Sequence, residues 1–114
     1  MANEAELKFL VKLDDDNGPE EIVWSASQSQ TEGYQNCDAL MVSMWDKSEK
    51  NTMSIDLWTK KMEVGEMNAH FYYTLMKMAD TYLKATNNQE LSDIIRGFAK
   101  DFVSRVDDFA KKED

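Results

Sequence analysis

The alternation of apolar and polar residues is clearest between Leu40 and Trp58. Met41-Val42-Ser43-Met44-Trp45 and Thr52-Met53-Ser54-Ile55-Asp56-Leu57-Trp58 both change character every second residue, as strands with two unlike faces do. A polar run, Asp46–Asn51, separates them and suits a hairpin loop. Pairing Met44 with Met53 brings Val42 opposite Ile55 and Leu40 opposite Leu57, a wholly apolar face. The other face then holds Trp45 opposite Thr52, Ser43 opposite Ser54, Met41 opposite Asp56 and Ala39 opposite Trp58. A slip of one residue would mix the two faces, so the parity is strongly specified.

Upstream, Leu7, Phe9, Val11 and Leu13 alternate with Glu6, Lys8, Leu10 and Lys12, which predicts a half-buried strand. Asp14-Asp15-Asp16-Asn17-Gly18-Pro19 breaks it with turn formers. Ile22, Trp24 and Ala26 form a second strand, and pairing Leu13 with Ile22 sets Val11 opposite Trp24. Gln28–Asn36 is polar and without period, and reads as a loop with Tyr34 tucked back.

After Trp58 the period changes from two to about 3.6. Met67, Phe71, Leu75, Met78 and Tyr82 make one stripe, flanked by Tyr72, Met76, Ala79 and Leu83. Glu66, Tyr73, Lys77, Asp80 and Lys84 occupy the opposite face. Gly65 is the expected N-cap. A second helix starts from Asn87, with Glu90 three residues on as in a capping box. Its stripe is Leu91, Ile94, Ile95, Phe98, Phe102, Val106 and Phe109. Gly97 inside it costs roughly 1 kcal/mol against alanine, and close packing is the expected reason.

The predicted architecture is α+β: a four-stranded antiparallel sheet of β-hairpins, followed by two helices packed on one face. Strands are expected at about 5–13, 20–27, 38–46 and 51–59, and helices at about 65–85 and 88–111, in a single domain. The expected core face is Leu7, Phe9, Val11, Ile22, Trp24, Leu40, Val42, Met44, Met53, Ile55 and Leu57. Consecutive strands leave no place for a parallel βαβ unit.

The chain has 114 residues, one domain's worth. Its net charge of −9 argues against nucleic acid and against an anionic membrane surface. No apolar run reaches the roughly 18 residues of a membrane span, so no membrane insertion is expected. The first nine residues carry two glutamates and no apolar segment of a leader, so a cytoplasmic location is expected.

Candidate chemistry is sparse. The one cysteine, Cys37, cannot form an internal disulfide and reads as a small filler rather than a nucleophile. The one histidine, His70, has no second histidine to share a metal, and zinc usually needs three or four ligands. Asp14–Asp16 lacks the alternating ligands and closing glutamate of a calcium loop, and reads as a solvated turn. No metal, cofactor or catalytic residue is assigned. What stands out is the polar face of the Met41–Trp58 hairpin, where two indoles have no core to enter. Trp45, Trp58, Asp56 and Met41 are therefore the candidate partner-binding residues, tryptophan being enriched at binding hot spots. The competing expectation for the two rings is that they pack along the sheet or against the Gln28–Asn36 loop, over Tyr34, and serve only stability.

Several of these residues carry a family likeness. Trp45-Asp46, Lys50-Asn51-Thr52 and above all Ile55-Asp56-Leu57-Trp58-Thr59-Lys60, followed by Met62, Val64, Glu66 and Met67, resemble the GldC family, small gliding-motility-associated proteins of Bacteroidetes. The Ile-Asp-Leu-Trp-Thr-Lys run is the specific part, and the likeness extends over most of the chain. It implies a non-enzymatic accessory or adaptor role, with protein partners in the gliding machinery, and supplies no catalytic residue. Exposed Leu10, Val23, Met41, Trp45 and Trp58, together with an open sheet edge, lead us to expect a weak homodimer at high concentration. The competing expectation is a small-molecule binder or simple enzyme, with a pocket between sheet and helices that uses Trp24, Phe71, Tyr82 and His70.

Overall fold

A computed structural model describes residues 3–27 and 33–113, with side chains as far as Asp108. The chain divides into two compact units, Met1–Met62 and Glu63–Asp114. The first holds every strand and the second both helices, in that order along the chain.

In the first unit β1 (Leu7–Leu13), β2 (Pro19–Ala26) and β3 (Gln35–Cys37) form one antiparallel sheet in the order β1-β2-β3. β4 (Ala39–Asp46) and β5 (Asn51–Trp58) form a second sheet of two strands. The predicted single four-stranded sheet is therefore corrected to two sheets, with five strands among the described residues. The reason lies at Asp38. The chain leaves β3, bends at this one residue, and enters β4 in the other sheet, as strands do when they turn a corner between layers. The segment read as an unpatterned loop thus supplies a strand, Gln35–Cys37. Residues 28–32 of that segment lie outside the described residues, and Tyr34 is exposed rather than tucked back.

Registers are set by turns. The β4–β5 register is the expected one throughout, from Ala39↔Trp58 through Val42↔Ile55 to Asp46↔Asn51. Asp46 organises its loop: Oδ1 accepts from Ser48 N at 2.9 Å and Glu49 N at 2.8 Å, and the carbonyl accepts from Lys50 N at 3.0 Å. Lys50 closes the loop in the left-handed region (φ 55). The β1–β2 register differs from the expected one by two residues. Val11 faces Ile22 and Phe9 faces Trp24, because β2 begins at Pro19 and the turn is shorter than expected; a bulge between Lys12 and Leu13 then sets Leu13 opposite Pro19. A shift of two keeps the same residues on the same face.

Burial is where the strand pattern misleads most. Ile22, on the central strand between Val11 and Cys37, is fully buried. Val11, Trp24, Leu40, Val42 and Leu57 are half-buried. Leu7, Phe9, Met44, Met53 and Ile55, expected in the core, are exposed, Met53 at 57% and Ile55 at 50%. A polar pair anchors the Asp38 bend to the end of β5. Buried Thr59 extends the β5 ladder by donating its N–H to Asp38 O at 2.9 Å, and its hydroxyl donates to Asp38 Oδ1 at 3.1 Å.

In the second unit α1 (Val64–Thr86) and α2 (Gln89–Glu113) form an antiparallel hairpin. Ser92 lies against Ala79, Arg96 against Asp80 and Phe102 against Phe71, so residue numbers rise on one helix as they fall on the other. The N-cap of α1 is Glu63, not Gly65. Its N–H donates to the Glu66 carboxylate at 3.1 Å, the backward arm of a capping box. Asn87 does not cap the second helix. It ends the first, in left-handed conformation (φ 58), with its N–H on Leu83 O at 2.7 Å. The neighbouring Asn88 caps α2, its Oδ1 accepting from Leu91 N at 3.0 Å. Two adjacent asparagines thus divide the work, because asparagine suits both a left-handed C-cap and an N-cap.

The seam of the hairpin is made by small residues. Ala79, Ser92 and Ala99 are fully buried, and the Ser92 hydroxyl donates to Ala79 O at 2.7 Å. Half of the described α2 stripe lies beside this seam: Leu91, Ile94 and Phe98 are exposed, while Ile95, Phe102 and Val106 are half-buried, and the Phe109 side chain lies outside the described residues. Gly97 has nothing within 4 Å of where a Cβ would stand, so close packing does not explain it.

Candidate functional site: the tryptophan face of the second hairpin

Strand parity places Trp45, Ser43 and Met41 of β4 on one face with Thr52, Ser54, Asp56 and Trp58 of β5. Trp45 is 65% exposed and Trp58 57%. Neither has a cross-strand partner long enough to cover an indole: Trp45 faces Thr52 and Trp58 faces Ala39. Met41 is half-buried opposite Asp56. Asp56 is exposed, and its Oδ2 accepts from the Ser54 hydroxyl at 3.2 Å. All four residues singled out from the sequence are therefore brought to one strand face, with the indoles near its two ends.

Sequence reasoning missed the neighbours of Trp58. A cleft of about 320 Å³ lies beside it, lined by Gly18, Pro19, Asp56, Leu57, Trp58 and Lys60. The β1–β2 turn forms one side. Asp14 builds that turn, its Oδ1 accepting from Asp16 N and Gly18 N, both at 2.9 Å, and its Oδ2 paired with Lys60 Nζ at 3.1 Å. These contacts, the Gly18 amide first and the Lys60 ammonium second, hold its carboxyl below the ordinary range. A Cβ at Gly18 would stand 3.3 Å from Asp14 Oδ2 and press on a carboxylate already held by three contacts. The signal was the glycine-proline pair after three aspartates, but nothing local shows that this turn meets the end of β5.

The other candidates are placed apart. Cys37 ends β3 half-buried, and burial, with the charge of Asp38 adding to it, pushes its thiol above the usual range. That is away from the thiolate a nucleophile needs. His70 sits on α1 with Nε2 shielded from solvent and without a hydrogen-bond partner among the described residues. Among those residues no three His, Cys, Asp or Glu side chains gather as a metal site.

The helical unit carries an apolar side of its own. Phe71 and Phe102 stack with centroids 6.5 Å apart. A groove of about 430 Å³ runs past Met78, Tyr82, Ala85 and Ile95. Asp80 leaves the Ala79 seam on the opposite side from Met78, and there it pairs with Arg96 at 2.6 Å.

No described helix is long and apolar enough to cross a membrane. Comparison with curated proteins and with solved structures gave no match. A family model, described as gliding motility-associated protein GldC-like, matches residues 19–108. The match takes in the whole tryptophan hairpin, the Asp38 bend and nearly all of both helices. With most of its length matched in this way, the chain belongs to the GldC-like family of gliding motility-associated proteins.

Proposed function

We propose that this chain is a non-enzymatic accessory protein of gliding motility that works by holding a protein partner on the tryptophan face of β4–β5. The observation that carries the reading is the pair of exposed indoles on an otherwise polar strand face. Tryptophan at a surface contributes little to folding but much to association, where it can be fully desolvated. Asp56 between them gives the face a charge and a direction. The partners are components of the gliding machinery, and the site of action is cytoplasmic.

The raised Cys37 thiol and the isolated His70 support a role without covalent or acid–base chemistry, since neither has the activating neighbour such steps require. The exposed indoles and open strand edges also support weak self-association at high concentration.

The test is a pull-down from gliding cells with the tagged protein, comparing wild type with Trp45→Ala and Trp58→Ala. Loss of a hot-spot indole is expected to weaken capture by about 2 kcal/mol while the thermal melt stays near wild type. His70→Gln and Cys37→Ser are expected to leave gliding unaffected. If either tryptophan variant unfolds the protein, the face is structural; if folded His70→Gln abolishes gliding, the non-enzymatic reading fails.

A further inference from the structure

We infer that the cleft beside Trp58 takes a single cationic side chain, arginine or lysine, presented by a partner polypeptide. The inference rests on the partner-binding reading above and assigns the chemistry of its Trp58 end.

Three observations lead there. The first is charge. Two carboxylates and one ammonium stand at or beside the cleft: Asp56, Asp14 and Lys60. Lys60 is already paired with Asp14 at 3.1 Å, which leaves that pair neutral. Among the described residues Asp56 has no cation within ion-pair distance, and only the Ser54 hydroxyl on Oδ2. The uncompensated charge of the cleft is therefore negative and belongs to Asp56. The whole chain, at −9, adds a field of the same sign.

The second observation is the indole. Asp56 and Trp58 are two residues apart on one strand, so both rise from the same face beside the cleft. Ala39, opposite Trp58, is too short to cover the ring. An open indole next to a carboxylate offers a cation both a π-face and a counter-charge.

The third is size. At about 320 Å³ the cleft stands at the bottom of the range for small-molecule pockets, and suits one long side chain better than a whole ligand. Pro19, Leu57 and the Trp58 ring, all lining residues, offer apolar surface to the methylenes of such a side chain. A purely apolar occupant would cover the Asp56 carboxylate without giving it a partner, which is unfavourable. A metal ion would find one free carboxylate, too few ligands to hold it.

The experiment uses the full chain labelled with ¹⁵N and follows the three indole N–H signals during titration with a five-residue peptide, acetyl-Gly-Ser-Arg-Gly-Ser-amide. The control peptide carries citrulline, the neutral isostere of arginine. The Trp58 signal is expected to move saturably with the arginine peptide and not with the citrulline one. Trp45, some six residues along the hairpin, serves as an internal reference and should stay in place. Asp56→Asn is expected to weaken the arginine peptide about fivefold. Lys60→Gln should act in the opposite sense and tighten it, by releasing Asp14 as a second counter-charge; a cleft that matters only for folding gives no variant that binds better. No movement of Trp58, equal movement with citrulline, or an Asp56→Asn variant that binds as well as wild type would each overturn the inference. If the peptide fails while capture from cells still depends on Trp58, the partner reading stands and only its cationic class is wrong.

Discussion

The two units of this chain solve the same problem, how to join two layers of secondary structure, by different means. In the helical unit the join is a seam of small side chains. Ala79, Ser92 and Ala99 let α1 and α2 approach closely, and the one polar group in the seam is satisfied there by the Ala79 carbonyl. In the sheet unit a polar link lies at strand ends: Lys60 after β5 pairs with Asp14 after β1, beside the Thr59–Asp38 pair that anchors the bend between the sheets. Large apolar side chains are exposed in both, Ile55 and Met53 on β5, Ile94 and Phe98 on α2. Hydrophobic periodicity says which residues share a face. What covers that face depends on contacts far away in sequence, and in neither unit is the most apolar stripe the most buried one.

The sharpest way to break this comparison is in the sheets. Ile22 and Ile55 both sit at alternation positions expected in the core, yet one is fully buried and the other half exposed. Ile22→Ala is expected to cost about 2–5 kcal/mol, read as a shift in the urea midpoint. Ile55→Ser should fall within about 0.5 kcal/mol of wild type, as surface changes do. Equal costs at the two positions would mean that β5 is covered as β2 is.

A smaller effect is expected in the helices, with the opposite sign. Gly97 is exposed and has open space at its missing Cβ. Gly97→Ala should therefore stabilise the chain by about 0.5–1 kcal/mol in the same denaturation experiment. A loss instead would show that something packs on that side of α2.

The smallest effect compares one ion pair from each unit. Asp14 is held low first by the Gly18 amide and then by Lys60, and Asp80 first by its hydrogen bond from Arg96. A carboxylate with a depressed pKa contributes stability that is present above its ordinary value, and loses it as pH falls through the lowered one. Urea midpoints of wild type and Asp14→Asn, measured from pH 6 downwards, should therefore differ most near neutrality and converge below the ordinary carboxylate range. Asp80→Asn should converge in the same direction. Both groups are close to solvent, so the differences will be modest and weakened by salt.

How far the sequence disclosed the fold follows from the range of each interaction. The β4–β5 register was legible to the residue, because a short polar loop and a strict alternation leave one parity. The four candidate residues share a face for the same local reason. The β1–β2 pairing was legible in parity and wrong by two residues, since the run of turn formers does not mark where β2 begins, and it begins at Pro19 itself. β3 was missed because Gln35-Asn36-Cys37 has no apolar alternation; its strand character comes from lying on β2. The helix stripes were legible, but Ser92 reads as polar, so the seam was not. The cleft beside Trp58 escaped because its walls come from a turn near residue 18 and a strand end near residue 58, which no local pattern connects.

The loop between the two tryptophan-bearing strands has a consequence in time. Asp46 alone satisfies three backbone amides of that loop, so closing it orders only a few residues and needs no help from the rest of the chain. Hairpins of this kind form in about 1–10 microseconds, well before pairings that must bring distant segments together. The indoles should therefore come to the same strand face, one near each end, early and as part of a local nucleus. On a chain emerging from the ribosome β1 and β2 come out first, so the step left after β4–β5 closes is the docking of the Asp14–Gly18 turn against the end of β5, which narrows the cleft.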